Sequence, residues 1–142
     1  MRRSGLQERI RIVPGGQTVE EGTAAARLLL DDGPLPTAIV AYDDDCAAGL
    51  WEALPRAGIS VPGDISIVGY DDSRQSRLAL TSLTTIGQDA RRLASLAVDR
   101  VVARLSGDEG ADRELVLSPH LVVRASTAPP DPYQRRARLV RS

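Results

Sequence analysis

The chain has 142 residues and a mass of 15.2 kDa, enough for one ordinary domain around a single core, which excludes collagen, a coiled coil and a disulfide mini-protein. Apolar residues at 42%, charged residues at 26% and a net charge of −1 describe a globular composition, and they argue against a nucleic-acid or membrane surface held by bulk electrostatics. All eighteen positive charges are arginine, so a Schiff base and a P-loop are excluded, while the single Cys46 and single His120 offer neither a disulfide nor a metal-type Cys/His spacing.

Ile10-Arg11-Ile12-Val13 reads as a short strand closed by Pro14-Gly15-Gly16. Thr18 then N-caps a helix whose first turn carries Glu20 and Glu21, and Gly33-Pro34 stops it. Thr37 to Tyr42 is a nearly continuous apolar run, as expected of a strand covered on both faces. It ends in Asp43-Asp44-Asp45, which open a second helix through Leu54 that fades at Ala57-Gly58. Asp64 to Tyr70 reads as another buried strand, again ending in paired acids, Asp71-Asp72.

A polar stretch from Ser73 to Thr81 leads to Leu83-Thr84-Thr85-Ile86, and a long helix follows from about Gln88 to Leu105. Glu114 to Ser118 and Leu121 to Arg124 read as two further strands separated by Pro119-His120. The pattern predicts one domain over residues 1–128 and a loose Pro/Arg-rich tail over 129–142. Strand–helix alternation of this kind gives a doubly wound, parallel α/β sheet. The first residues carry no apolar signal core and no run approaches a membrane span, so the expected location is the cytoplasm, with no membrane partner.

In open parallel sheets ligands bind beyond the carboxyl ends of the strands, which places Asp43, Asp44, Asp71 and Asp72 on one rim. Carboxylates there hold a metal, work as acid and base, or accept hydrogen bonds from a neutral polar ligand; residue types alone leave all three open. A plain turn role for Asp71, helix capping for Gln88 and a core role for Cys46 and Trp51 are the structural alternatives.

The segments Ala41-Tyr42-Asp43-Asp44, Gly58 to Asp72 with its Val-Pro-Gly-Asp-Ile-Ser-Ile-Val-Gly-Tyr-Asp-Asp run, Leu83 to Gln88, and Leu121 to Thr127 resemble the lactose-repressor (LacI/GalR) family, from about Arg2 to Pro129. The resemblance implies the C-terminal part of a two-lobed, periplasmic-binding-protein-like effector domain, with the family's Arg-x-x-Gly falling on Arg2 to Gly5. It implies a start inside that domain, so that the first lobe and the DNA-binding headpiece lie outside this chain. By matching positions it makes Arg2, Asp43, Asp71 and Gln88 the ligand-binding residues and leaves Asp44 to cap the following helix. Asp43 stands where the family usually has asparagine, and Gln17 about where many members stack an aromatic on the ligand.

The function so implied is sensing of a sugar or related polyol by a homodimer, without catalysis or cofactor, with DNA reached only through the headpiece. The dimer would use the Asp45 to Leu54 helix and the Ser73 to Leu80 loop. The long helix would keep an uncovered apolar face at Leu93, Leu96 and Val101, which predicts a marginal or self-associating chain. Two alternatives stand beside this reading: an extracytoplasmic sugar-binding protein of the same fold, and a magnesium phosphohydrolase or receiver built on the aspartates, against which the absence of lysine counts.

Overall fold

The structure is a computed structural model that describes residue 5, residues 7–107 and residues 114–130. In chain order it contains α1 (Val19–Asp31), β1 (Ala38–Val40), α2 (Asp44–Arg56), β2 (Ser66–Asp71), β3 (Thr84–Gly87), α3 (Ala90–Leu105) and β4 (His120–Val122). The strands form one sheet in the order β1-β2-β3-β4. Strands β1 to β3 are parallel, whereas β4 runs antiparallel to β3. After α3 the chain enters β4 in the reverse direction.

Local chemistry accounts for the helix ends. Thr18 Oγ1 accepts the Glu21 amide at 3.2 Å while the Glu21 carboxylate accepts the Thr18 amide at 3.2 Å, a reciprocal capping box at the start of α1. Asp43 caps α2 by accepting the Cys46 amide at 2.8 Å, and Asp89 caps α3 through the Arg92 amide at 3.1 Å. Beyond α2, Gly58 takes a φ of 78°, a conformation open to glycine at little cost, and the chain turns toward β2.

The core lies between α1, α2 and the sheet. Ala25, Ala26 and Leu29 of α1 meet Cys46, Ala47, Leu50 and Leu54 of α2 over Ile65, Ile67 and Leu83. Each large side chain fully buried here contributes about 1.5–3 kcal/mol. The two helices approach closely because two glycines let them: a Cβ at Gly22 would overlap the Cys46 carbonyl, and one at Gly49 the Val19 carbonyl.

Three sequence expectations are corrected. Ile10 to Val13 forms no strand; Arg11 instead donates through Nη2 to the Leu29 carbonyl at 3.0 Å and through Nη1 to the Asp32 carbonyl, tying the segment to the end of α1. With no strand beside it, Ile12 is 91% exposed. Glu114 to Ser118 likewise forms no strand, and Leu115 and Leu117 line a groove with Leu93 and Leu96 of α3. The β1 strand is not covered on both faces: its Val40 is 73% exposed.

The C-terminal motif Arg124 to Thr127 has a clear structural task. Ser126 Oγ donates to the Ile67 carbonyl at 2.6 Å and accepts the Thr84 amide at 2.8 Å, and its backbone carbonyl accepts the Ile67 amide at 2.9 Å. These bonds sew the segment to β2 and β3, satisfying backbone groups that burial would otherwise leave unpaired. Among the described residues no helix is long and apolar enough to cross a membrane. Of the tail expected over 129–142, residues 131–142 lie outside the described residues.

Candidate functional site

The β2–β3 register puts Asp71 opposite Gly87, so the next residue of each strand's exit shares one rim. There Gln88 Nε2 donates to Asp71 Oδ1 at 2.6 Å. Asp71 and Asp72 both have positive φ, 110° and 51°, backbone conformations that L side chains rarely adopt. Conformations of this kind persist only where surrounding bonds hold them, and they concentrate at functional positions.

Asp72 supplies the holding bonds. Its carboxylate accepts from Arg124 Nη2 at 2.5 Å and from Arg77 Nη2 at 2.7 Å. Arg124 also donates to the Leu83 carbonyl at 2.8 Å, which locks the end of β4 to the start of β3. Burial pushes the Asp72 carboxyl up, but the hydrogen bonds and charges of Arg124 and Arg77 outweigh burial and hold its pKa below the ordinary 3.8. Asp72 is thus a structural anchor for the turn that presents Asp71.

Beside this turn lies an open cavity of about 550 Å³, lined by Asp71, Asp72, Arg77, Gln88, Arg91 and His120 among others. A volume of that order fits a small polar ligand. His120 reaches the cavity because Gly87, opposite it across β3 and β4, has no Cβ to meet its ring.

Of the four sequence-predicted ligand residues, the structure brings together Asp71 and Gln88. Asp43 is half-buried, with one carboxylate oxygen engaged in capping α2. Arg2 lies outside the described residues. Asp44 does not take the capping role read for it; the preceding residue caps, and Asp44 turns inward, 1% exposed, to accept from Thr85 Oγ1 at 2.5 Å and from the Ser73 amide at 2.7 Å. Gln17 Nε2 donates to the Tyr42 hydroxyl at 3.1 Å, so the position expected to lack an aromatic is joined to one from another element. Among the described residues no three His, Cys, Asp or Glu side chains gather as a metal set.

Residue types alone do not reveal Arg77, Arg124 and His120. Arg124 stands in the Leu-Val-Val-Arg motif, and its invisible part is the partner, 52 positions upstream. His120 lies in a chain break between two apolar runs, where a turn residue and a pocket residue look alike.

Comparison with known proteins places this geometry. The profile of the periplasmic binding protein-like domain family matches residues 1–127. The HTH-type transcriptional repressor PurR of Glaesserella parasuis is 37% identical over 113 residues, covering 75% of this chain and 33% of that protein. The crystal structure of a LacI transcriptional regulator from a Rhodococcus species superposes with a TM-score of 0.83 at 48% identity, covering 90% of this chain and 47% of that one. A LacI family transcriptional regulator from Enterococcus faecium with bound ribose superposes with a TM-score of 0.80 at 29% identity, covering 91% and 50%. The chain therefore spans about a third of the length of the curated relative and about half of the solved chains. The α/β sheet, the Gly-Tyr-Asp-Asp turn and the matched length agree: the chain belongs to the periplasmic binding protein-like domain family, in its branch of LacI-type transcriptional regulators.

Proposed function

We propose that this chain is the effector-sensing and self-associating part of a LacI-type transcriptional regulator. A sugar or related polyol binds at the Asp71–Gln88 rim, and its binding changes the DNA affinity of a headpiece outside these 142 residues. The protein works without catalysis or cofactor, in the cytoplasm.

The observation that carries the reading is the Asp71–Gln88 bond at the lip of the cavity. An exposed carboxylate paired with an amide that both donates and accepts suits vicinal hydroxyls, and a ligand lacking them leaves both groups unmatched. The ribose held by the Enterococcus faecium relative supports the ligand class. Arg2 and Asp43 complete the proposed contact set, Arg2 as a forked donor and Asp43 through its remaining oxygen. Self-association is assigned to α2 and the Ser73 to Leu80 stretch, where Leu78 and Leu80 are exposed.

The test follows the Gln88 side-chain amide by NMR while ribose and a panel of aldoses are added to the full chain. One or more aldoses should shift that signal with an affinity short of micromolar, and Asp71→Asn should weaken binding about tenfold or more. No response to any sugar, or binding indifferent to Asp71→Asn, overturns the reading.

A further inference from the structure

Asp44 is the one charged side chain among the described residues to be fully buried. A carboxylate taken from water costs several kcal/mol unless its lone pairs are satisfied, so its partners show what it is kept for. They come from both arms of the rim. Thr85 belongs to β3, three residues before Gln88, and Ser73 follows directly on Asp71-Asp72. Room is made in β2 itself: Gly69 pairs with Thr85, and a Cβ there would overlap Asp44 Oδ1. As the first residue of α2, Asp44 also sits where the helix dipole favours negative charge.

We propose that Asp44 is the positioning residue of the rim: gripping Thr85 of β3 and the Ser73 amide beyond β2, it sets the Asp71–Gln88 spacing and carries changes there into the N-terminus of α2. One rigid side chain then joins the candidate ligand face to the helix assigned to self-association. Coupling of two sites needs such an element, one whose arrangement both sites bias. The consequence for sensing rests on the effector reading above, whereas the geometry does not.

The experiment records NMR spectra and amide exchange of the full chain for Asp44→Asn, Thr85→Val, Thr85→Ser and, as a core control, Leu54→Ala. Thr85→Val keeps the side-chain shape, so it remains informative if Asp44→Asn fails to fold. Thr85→Val should move the Gln88 side-chain amide signal and speed exchange of the Ser73 and Cys46 amides about tenfold, and Thr85→Ser should restore both. A Thr85→Val protein that melts earlier with both readouts unmoved makes Asp44 merely structural and overturns the proposal. Equal movement in Leu54→Ala does so as well. A Gln88 signal that follows these substitutions but answers to no aldose supports the positioning role and ends the effector reading.

Discussion

Helices α2 and α3 carry the same kind of apolar pattern and meet opposite fates. Six of the thirteen residues of α2 are buried, and none of the sixteen of α3. Helix α2 has two partners at once, the close-packed α1 and the β2 strand. The apolar side of α3 meets a shallow groove shared with Leu115 and Leu117, while Val101 and Leu105 stay 58% and 84% exposed. Periodicity states which face a helix offers for burial; whether it is buried depends on what the rest of the chain brings to that face.

Four measurements would break or sharpen this contrast. The largest effect belongs to the packed layer: Leu54→Ala should cost about 2–5 kcal/mol in urea unfolding, and Gly49→Val should cost about as much by forcing α1 and α2 apart. The matching truncation in α3, Val101→Ala, should cost no more than about 0.5 kcal/mol. A Val101→Ala cost above about 2 kcal/mol would show α3 to be covered in solution and erase the distinction.

The Asp72 anchor comes next. Asp72→Asn should lose about 1–3 kcal/mol at pH 7, because Arg124 is left partly buried without its charged partner. Its depressed pKa fixes the pH dependence. The stabilisation is complete above the unfolded value near 3.8 and disappears as pH falls through the lower folded value. The stability gap between the native chain and Asp72→Asn should therefore stay level from pH 7 to about 4 and close below that; closure near pH 6 would assign the effect to another group.

At the helix cap, Thr18→Ala should cost about 0.5–2 kcal/mol, read from the same urea curves, since it removes one half of a reciprocal pair. The smallest effect on stability is expected for a joint Leu93→Ser, Val101→Ser, Val102→Ser chain. Its unfolding free energy per protomer should hardly change, but sedimentation should show less of the association expected through the uncovered α3 face, with the dimer assigned to α2 left in place. A native chain that sediments as a monomer at every concentration, with a sharp transition independent of dilution, would contradict that expectation.

Much of the layer around α2 is legible from residue order. Thr18 as a helix cap, Gly58 after the second helix and the paired acids closing two apolar runs all act within a few residues of themselves, where spacing is informative. The rim is half legible. The sequence names Asp71 and Gln88, which the fold does bring side by side, but the division of labour among the four aspartates is not legible, because each is an acidic residue just past a strand. Asp43 takes the capping role expected of Asp44 through a one-residue difference in where α2 begins, and Asp44 is buried instead. At a helix N-terminus that difference decides whether a carboxylate faces the backbone amides or the core.

Sequence alone was sufficient to establish the α/β alternation, the acid-ended strands, the Thr18 cap and the family resemblance, because each rests on local periodicity or on a run of adjacent residues. Tertiary structure decided which apolar stretches become strands, as Ile10 to Val13 and Glu114 to Ser118 show by failing to do so. A strand needs a hydrogen-bonding neighbour, and apolar alternation does not name one. It also decided that Arg124 reaches Asp72 and that Asp44 reaches Thr85, contacts 52 and 41 residues apart in the chain. Those distances are closed by the fold, and the energy of a buried charge depends on that closure.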